Sequence, residues 1–185
     1  MIDLPTSSGA GHGQLRAALA GQYRGALVML EEAVKRCPDD AWSHGTPDNA
    51  FWQVAYHVLY YTHLYMAPNV DAFEPWPGHQ GKVQNEDALG APDKPDSGLP
   101  HLPEVYAKED VLAYASFLYD RLDEMLAAID LDAEESGFPW YALPKLDHQL
   151  VNLRHVQHHV GQLYDRLRLL LGPGMPWVSR RAARS

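Results

Sequence analysis

Two histidines, His155 and His159, stand four residues apart in the run Arg154-His155-Val156-Gln157-His158-His159. On a helix this spacing puts both side chains on one face. Two imidazoles one turn apart can then converge on a single ion at ~2.0–2.1 Å without moving the backbone. With 10 histidines in 185 residues, about half of one such pair is expected by chance, so the spacing needs support. The neighbours provide it. Leu153, Val156, Val160 and Leu163 surround the pair, and imidazoles placed among apolar side chains require hydrogen bonds or a metal. A further histidine, His57, lies on a stripe formed by Ala50, Val54, Tyr61 and Leu64, which turns it inward. Packed helices lie ~8–10 Å apart, a gap that facing imidazoles can bridge through a shared ion. His158 competes with His159 for this role, because a three-residue spacing also brings side chains to one side of a helix.

The remaining histidines divide by position. His63 sits about 120° around the helix from His57 and is expected to face solvent or another helix. His148 precedes His155 by two turns on the same face, close enough to support a ligand indirectly. His12, His44, His79 and His101 fall in terminal or loop segments. A zinc-protease motif is excluded, since Val156 occupies the place of the glutamate that chemistry requires. Nor is there a nucleophile elbow, a phosphate-binding glycine loop or a spaced cysteine pair. Among the many acidic residues, none is placed well enough to serve as general base. Gln162 and Tyr61, each one turn beyond a candidate ligand, could orient a ligand or water, or simply pack.

The elements that must hold these residues are helical. In residues 15–36, Leu15, Leu19, Tyr23, Ala26, Leu27, Leu30 and Val34 repeat at three-and-four spacing, and Cys37 with Pro38 ends the helix. Thr46 and Pro47 offer an N-cap and first-turn proline for a second helix through Met66, rich in Trp52, Tyr56, Tyr60, Tyr61 and Tyr65. Pro68 stops it. Residues 68–106 carry Pro75, Pro77, Pro92, Pro95, Pro100 and Pro103, so they form a long connection, expected to cross along the bundle. A third helix is expected over 108–129 and a fourth over 145–171, stopped by Gly172, Pro173 and Gly174. Four helical patterns without strand alternation predict an all-α four-helix bundle over 15–171. A loose segment over 1–14 and a tail over 172–185 flank it.

Composition narrows the function classes. A formal net charge of −9, with 24 acidic and 15 basic residues, repels a phosphate backbone. Nucleic acid is therefore not an expected partner. Arg180, Arg181 and Arg184 form a short basic end of the solvated kind. No run approaches the ~20 apolar residues of a membrane helix, and the first residues lack the pattern of a secretory signal. The single cysteine, Cys37, excludes an internal disulfide and fits a cytoplasmic location. Nothing in sequence activates it as a nucleophile, and a structural thiol is expected.

The chain resembles the DinB-like superfamily. The likeness rests on Phe51-Trp52, on His57 with Tyr61 and Tyr65 downstream, and on His155, His159 and Gly161-Gln162-Leu163. The resemblance implies a four-helix bundle with a crossover between its second and third helices, and one divalent metal held by His57, His155 and His159 rather than His158. It also implies zinc or nickel as the ion, a homodimer, and activities that include thiol-dependent transferases and isomerases. Three protein ligands leave a position for water or substrate, as catalytic sites require. The expected function is thus a metalloenzyme acting on a small molecule, by metal-assisted hydrolysis or by transfer using a small thiol cosubstrate. A non-catalytic metal-binding stress protein and a plain helical interaction module are the alternatives.

Overall fold

A computed structural model describes residues 8–44, 49–79, 105–172 and 174–181. Its helices are α1 (Ser8–Arg36), α2 (Asp39–Trp42), α3 (Phe51–Tyr65), α4 (Lys108–Ala128) and α5 (Lys145–Leu171), with a 3-10 turn at Val70–Ala72. No strand occurs among the described residues, and no described helix is long and apolar enough to cross a membrane.

The four long helices pack in a ring. α1 lies against α4 and α5, and α3 lies against the same two from the other side. Their directions follow from side-chain pairings. Arg16 near the start of α1 donates to Leu126 O at 3.1 Å and Ile129 O at 2.9 Å at the end of α4, so these two helices are antiparallel. α3 and α5 are also antiparallel: Gln149 donates to Tyr65 O at 2.7 Å, Asn152 to Thr62 O at 3.2 Å, and Arg166 to Asn49 O at 2.9 Å. α3 and α4 run in parallel, with the Trp52 ring near Tyr106 and His63 near Tyr114. Parallel neighbours cannot be joined by a short turn. The chain leaving α3 accordingly doubles back: Phe73 packs on His63 and Tyr60, Trp76 stacks on Tyr114, and His79 stacks on Tyr56. The rest of the expected crossover, residues 80–104, lies outside the described residues.

Two helix starts differ from the periodicity. α1 begins at Ser8, inside the segment expected to be loose, although the apolar stripe starts only at Leu15. Tertiary contacts hold this end, since His12 Nε2 lies 3.2 Å from Asp132 and Arg16 grips the end of α4. Propensity is a weak prior against such contacts. α3 begins at Phe51, where Gln53 Oε1 accepts the Ala50 N–H at 2.9 Å and satisfies one open donor of the first turn. The expected cap at Thr46 and Pro47 lies outside the described residues.

The other ends follow the sequence. α5 stops where Gly172 adopts φ 83°, its N–H bonded to Arg168 O at 2.9 Å. The tail then returns to the bundle. The Arg181 N–H donates to Gly21 O at 3.1 Å, and Val178 O occupies the space that a side chain at Gly25 would need, 3.2 Å from an added Cβ. The tail thus runs along α1 through residue 181 with Arg180 and Arg181 still exposed, as expected of a solvated basic end, while Arg184 lies outside the described residues.

α3 is the central element. All its residues except Tyr61 are buried, which explains why it is apolar and aromatic on every side. Its far end is clamped to the start of α5 by Lys145, which is 2% exposed. The Lys145 Nζ donates to Ala67 O at 3.1 Å, to Pro68 O at 2.7 Å and to Ser136 O. Burial pushes this ammonium down to about 8, but three carbonyls supply the partners a buried cation needs, two of them near the negative end of α3. The clamp sets the register of α5 on α3, and with it the level at which their histidines meet.

Candidate metal centre

His57 projects from α3 toward α5, and His155 and His159 project from α5 toward α3. The His57 Nε2 lies 3.0 Å from His155 Nε2, and His159 Nε2 lies 3.1 Å from that same atom. One ring nitrogen from each side chain falls within 4.8 Å of the others. His57 and His159 are buried and His155 is half-buried. Tyr61, the one half-exposed residue of α3, sets its ring 4.6 Å from His57 and 5.9 Å from His155. The half-buried pair Tyr61 and His155 marks the side on which the cluster approaches solvent.

Electrostatics keep His57 and His155 neutral. Burial holds His57 well below its ordinary value, and His155 and His159 beside it add to the effect. Burial, then His159 and His158, bring His155 down to about 3. Among the described residues, no carboxylate joins the cluster. Neutral imidazoles offer their lone pairs to a cation.

Proton counting tests whether hydrogen bonds alone explain the geometry. Gln162 Oε1 lies 2.8 Å from His159 Nδ1, and Gln162 Nε2 lies 3.0 Å from His158 Nε2. The amide oxygen only accepts and the amide nitrogen only donates. In this amide orientation a neutral His159 carries its proton on Nδ1 and presents a lone pair at Nε2. For His155 to bond this lone pair, its Nε2 must carry hydrogen, and that single hydrogen cannot point along both contacts. If His57 donates to His155 instead, His155 and His159 face each other lone pair to lone pair. Three lone pairs directed at one cation remove the conflict, so the donor set fits a divalent ion and could hold one.

The structure decides the roles of the other candidates at this level. His158 is exposed and turns away toward Gln162, so His159 is the histidine that joins the cluster. His148 does not support the cluster. It is fully buried with its ring 4.8 Å from Tyr65, 4.9 Å from Phe138 and 5.0 Å from Tyr141, and neither ring nitrogen has a hydrogen-bond partner among the described residues. His63 is buried against α4, its Nδ1 3.0 Å from the Tyr114 hydroxyl. Sequence reasoning assigned no role to His79, yet its Nδ1 meets the Tyr56 hydroxyl, and Tyr106 donates to Tyr56 at 3.3 Å. Only the return of the connection along α3 brings it there, and no local pattern signals that. Cys37 is buried and far from thiolate character: burial raises it to about 11, with Lys108 opposing and Asp39 and Asp40 adding to the rise.

The bundle and its inward imidazoles define a class of protein, an all-α domain with a three-histidine cluster between two antiparallel helices. The chain belongs to the DinB superfamily, whose family model matches residues 22–163. The match includes all three histidines. Searches of curated proteins and of solved structures each returned no match.

Proposed function

We propose that this protein is a metal-dependent enzyme in which His57, His155 and His159 hold one divalent ion, zinc or nickel. Its substrate is a small molecule, transformed by hydrolysis or by transfer involving a small thiol. The observation that carries this reading is the approach of three imidazole nitrogens from two helices to one point. When bound, such an ion supplies Lewis acidity, with no carboxylate among the described residues joining the cluster to offset its charge, and so makes a nucleophile of a thiol or of water near neutral pH. The chain's own residues do the rest. Burial of His57 and His159 keeps water from one side, and Tyr61 borders the more open side. The chain's own thiol takes no part, since Cys37 is buried and held protonated. A homodimer in the cytoplasm completes the proposal.

The test combines metal analysis with a reaction assay. Purified protein is stripped with a chelator, reloaded with Zn(II) or Ni(II), and assayed for hydrolysis and for consumption of small thiols against electrophiles. One ion per chain and metal-dependent turnover are expected. Failure to take up either metal in excess overturns the reading. Stoichiometric uptake without any turnover removes the enzyme and leaves a non-catalytic metal-binding protein.

A further inference from the structure

The three imidazoles are not held alike. The Nδ1 atoms of His57 and His155 are buried without a hydrogen-bond partner among the described residues, so no described protein group selects their tautomer. His159 differs. Its Nδ1 faces Gln162 Oε1 at 2.8 Å, one turn along the same helix, and the other end of that amide is anchored on His158 Nε2 at 3.0 Å. We infer that Gln162 is the positioning residue of the site: it fixes His159 in the Nδ1-protonated tautomer and so keeps the Nε2 lone pair turned toward His57 and His155. This rests on the metal-binding reading above and adds to it the group that prepares the site before any ion arrives.

The chemistry follows from the amide's two ends. With the amide oxygen on Nδ1, protonation of that nitrogen is favoured by a hydrogen bond. Moving the proton to Nε2 would set two acceptors, Nδ1 and Oε1, against each other and turn an N–H toward His155. The amide turned over would bond both rings only if His159 and His158 each moved their proton to the other nitrogen, so the observed orientation goes with a proton on His159 Nδ1 and an acceptor at His158 Nε2. A partner on the remote nitrogen also raises the basicity of a ligating imidazole, and removal of such partners costs ten- to a hundredfold in metal affinity in general. His158 thereby has a role although it stands outside the cluster: it orients the amide and not the ion.

Three variants and two readouts decide the matter. Gln162→Leu keeps the bulk and removes both hydrogen bonds. Gln162→Glu keeps an acceptor on Nδ1 and loses the donor to His158. His158→Ala removes only the anchor. Zn(II) affinity is measured by competition with a chromophoric chelator. The His159 tautomer is read from nitrogen-15 NMR of the metal-free proteins, with helical circular dichroism as the control for folding. The expected result is Zn(II) binding about ten- to a hundredfold weaker in Gln162→Leu, near wild-type in Gln162→Glu, and intermediate in His158→Ala. His159 is expected to be Nδ1-protonated in the wild type and mixed in Gln162→Leu. Unchanged affinity and tautomer in a folded Gln162→Leu protein overturn the inference. Should the wild type bind no Zn(II), the metal reading fails, and the tautomer measurement alone decides the role of Gln162.

Discussion

The Nε2 atoms of His57 and His155 lie 3.0 Å apart although 98 positions separate them in the chain. Each comes from a different helix, so the pair exists only because α3 and α5 pack antiparallel in one register. If the pair and His159 share an ion, removing any member leaves two nitrogens, too few to define a site of this kind. His57→Phe and His155→Ala are expected to lose Zn(II) or Ni(II) at least a hundredfold while keeping helical content. Full metal occupancy in either variant rules out the assigned ligand set.

Metal binding to the folded state alone also raises stability, by about 4 kcal/mol when free metal exceeds the dissociation constant a thousandfold. The melting temperature of the wild type is expected to rise with added Zn(II) and to fall on chelation. That of His155→Ala is expected to stay flat. Equal responses of the two proteins in differential scanning calorimetry contradict the site.

Acid acts in part through His63 and His148, two buried histidines outside the cluster. Burial first, with smaller contributions from Arg121 and His79 for His63 and from Lys145 for His148, holds both rings at about 4. The unfolded chain takes up these protons near 6.5, so between 6.5 and 4 the unfolded state binds more protons than the folded one. Stability therefore falls as the pH drops through this window, by roughly 3 kcal/mol per ring at most. His148→Phe places an apolar ring among Tyr65, Phe138 and Tyr141 and removes the contribution of His148. Its urea midpoint is expected to fall less steeply between pH 7 and 4.5 than that of the wild type. Parallel curves for the two proteins count against the buried neutral ring.

Lys145 holds the end of α3 to the start of α5 through three backbone carbonyls. Lys145→Met fills a similar volume but leaves those oxygens without their donor, at an expected cost of about 2–4 kcal/mol. The same variant is expected to bind Zn(II) more weakly, because the clamp sets the register of His155 against His57. Urea unfolding and metal titration check the two effects, and a variant as stable as the wild type refutes the clamp.

Cys37 is expected to resist reagents. Burial keeps its thiol near 11, so only about one molecule in ten thousand carries a thiolate at neutral pH. Alkylation by iodoacetamide in the folded protein is expected to be at least a hundredfold slower than in urea, and Cys37→Ala to retain any thiol-consuming activity. Loss of that activity in a folded Cys37→Ala protein places the nucleophile in the chain itself.

Much of the bundle was legible because helical periodicity is local. The stripe from Leu15 to Val34, the stop at Cys37-Pro38 and the stop at Gly172 each depend on residues a few positions apart; α1 and α5 end within a residue of those stops, and α4 ends one residue short of the expected 129. The starts of α1 and α3 were not, because they depend on Arg16 reaching α4 and on Gln53 folding back on Ala50. The return of the chain through Phe73, Trp76 and His79 left no local trace either. It follows from α3 and α4 being parallel, which no short segment encodes.

By itself the sequence determined that His155 and His159 share a helical face and that His57 lies on the inward stripe of another helix, since side-chain direction along a helix follows from spacing. Whether His158 or His159 joined them was beyond its reach, as both lie on that side of the helix. The roll of α5 about its axis decided it. Val156, Val160, Leu163 and Leu167 are wholly buried in the core, and this orientation carries His159 toward α3 and His158 toward solvent. Burial likewise turned His148 from a supposed support of the cluster into a packed aromatic neighbour. Spacing fixes angles within a helix, and only packing fixes how helices face each other.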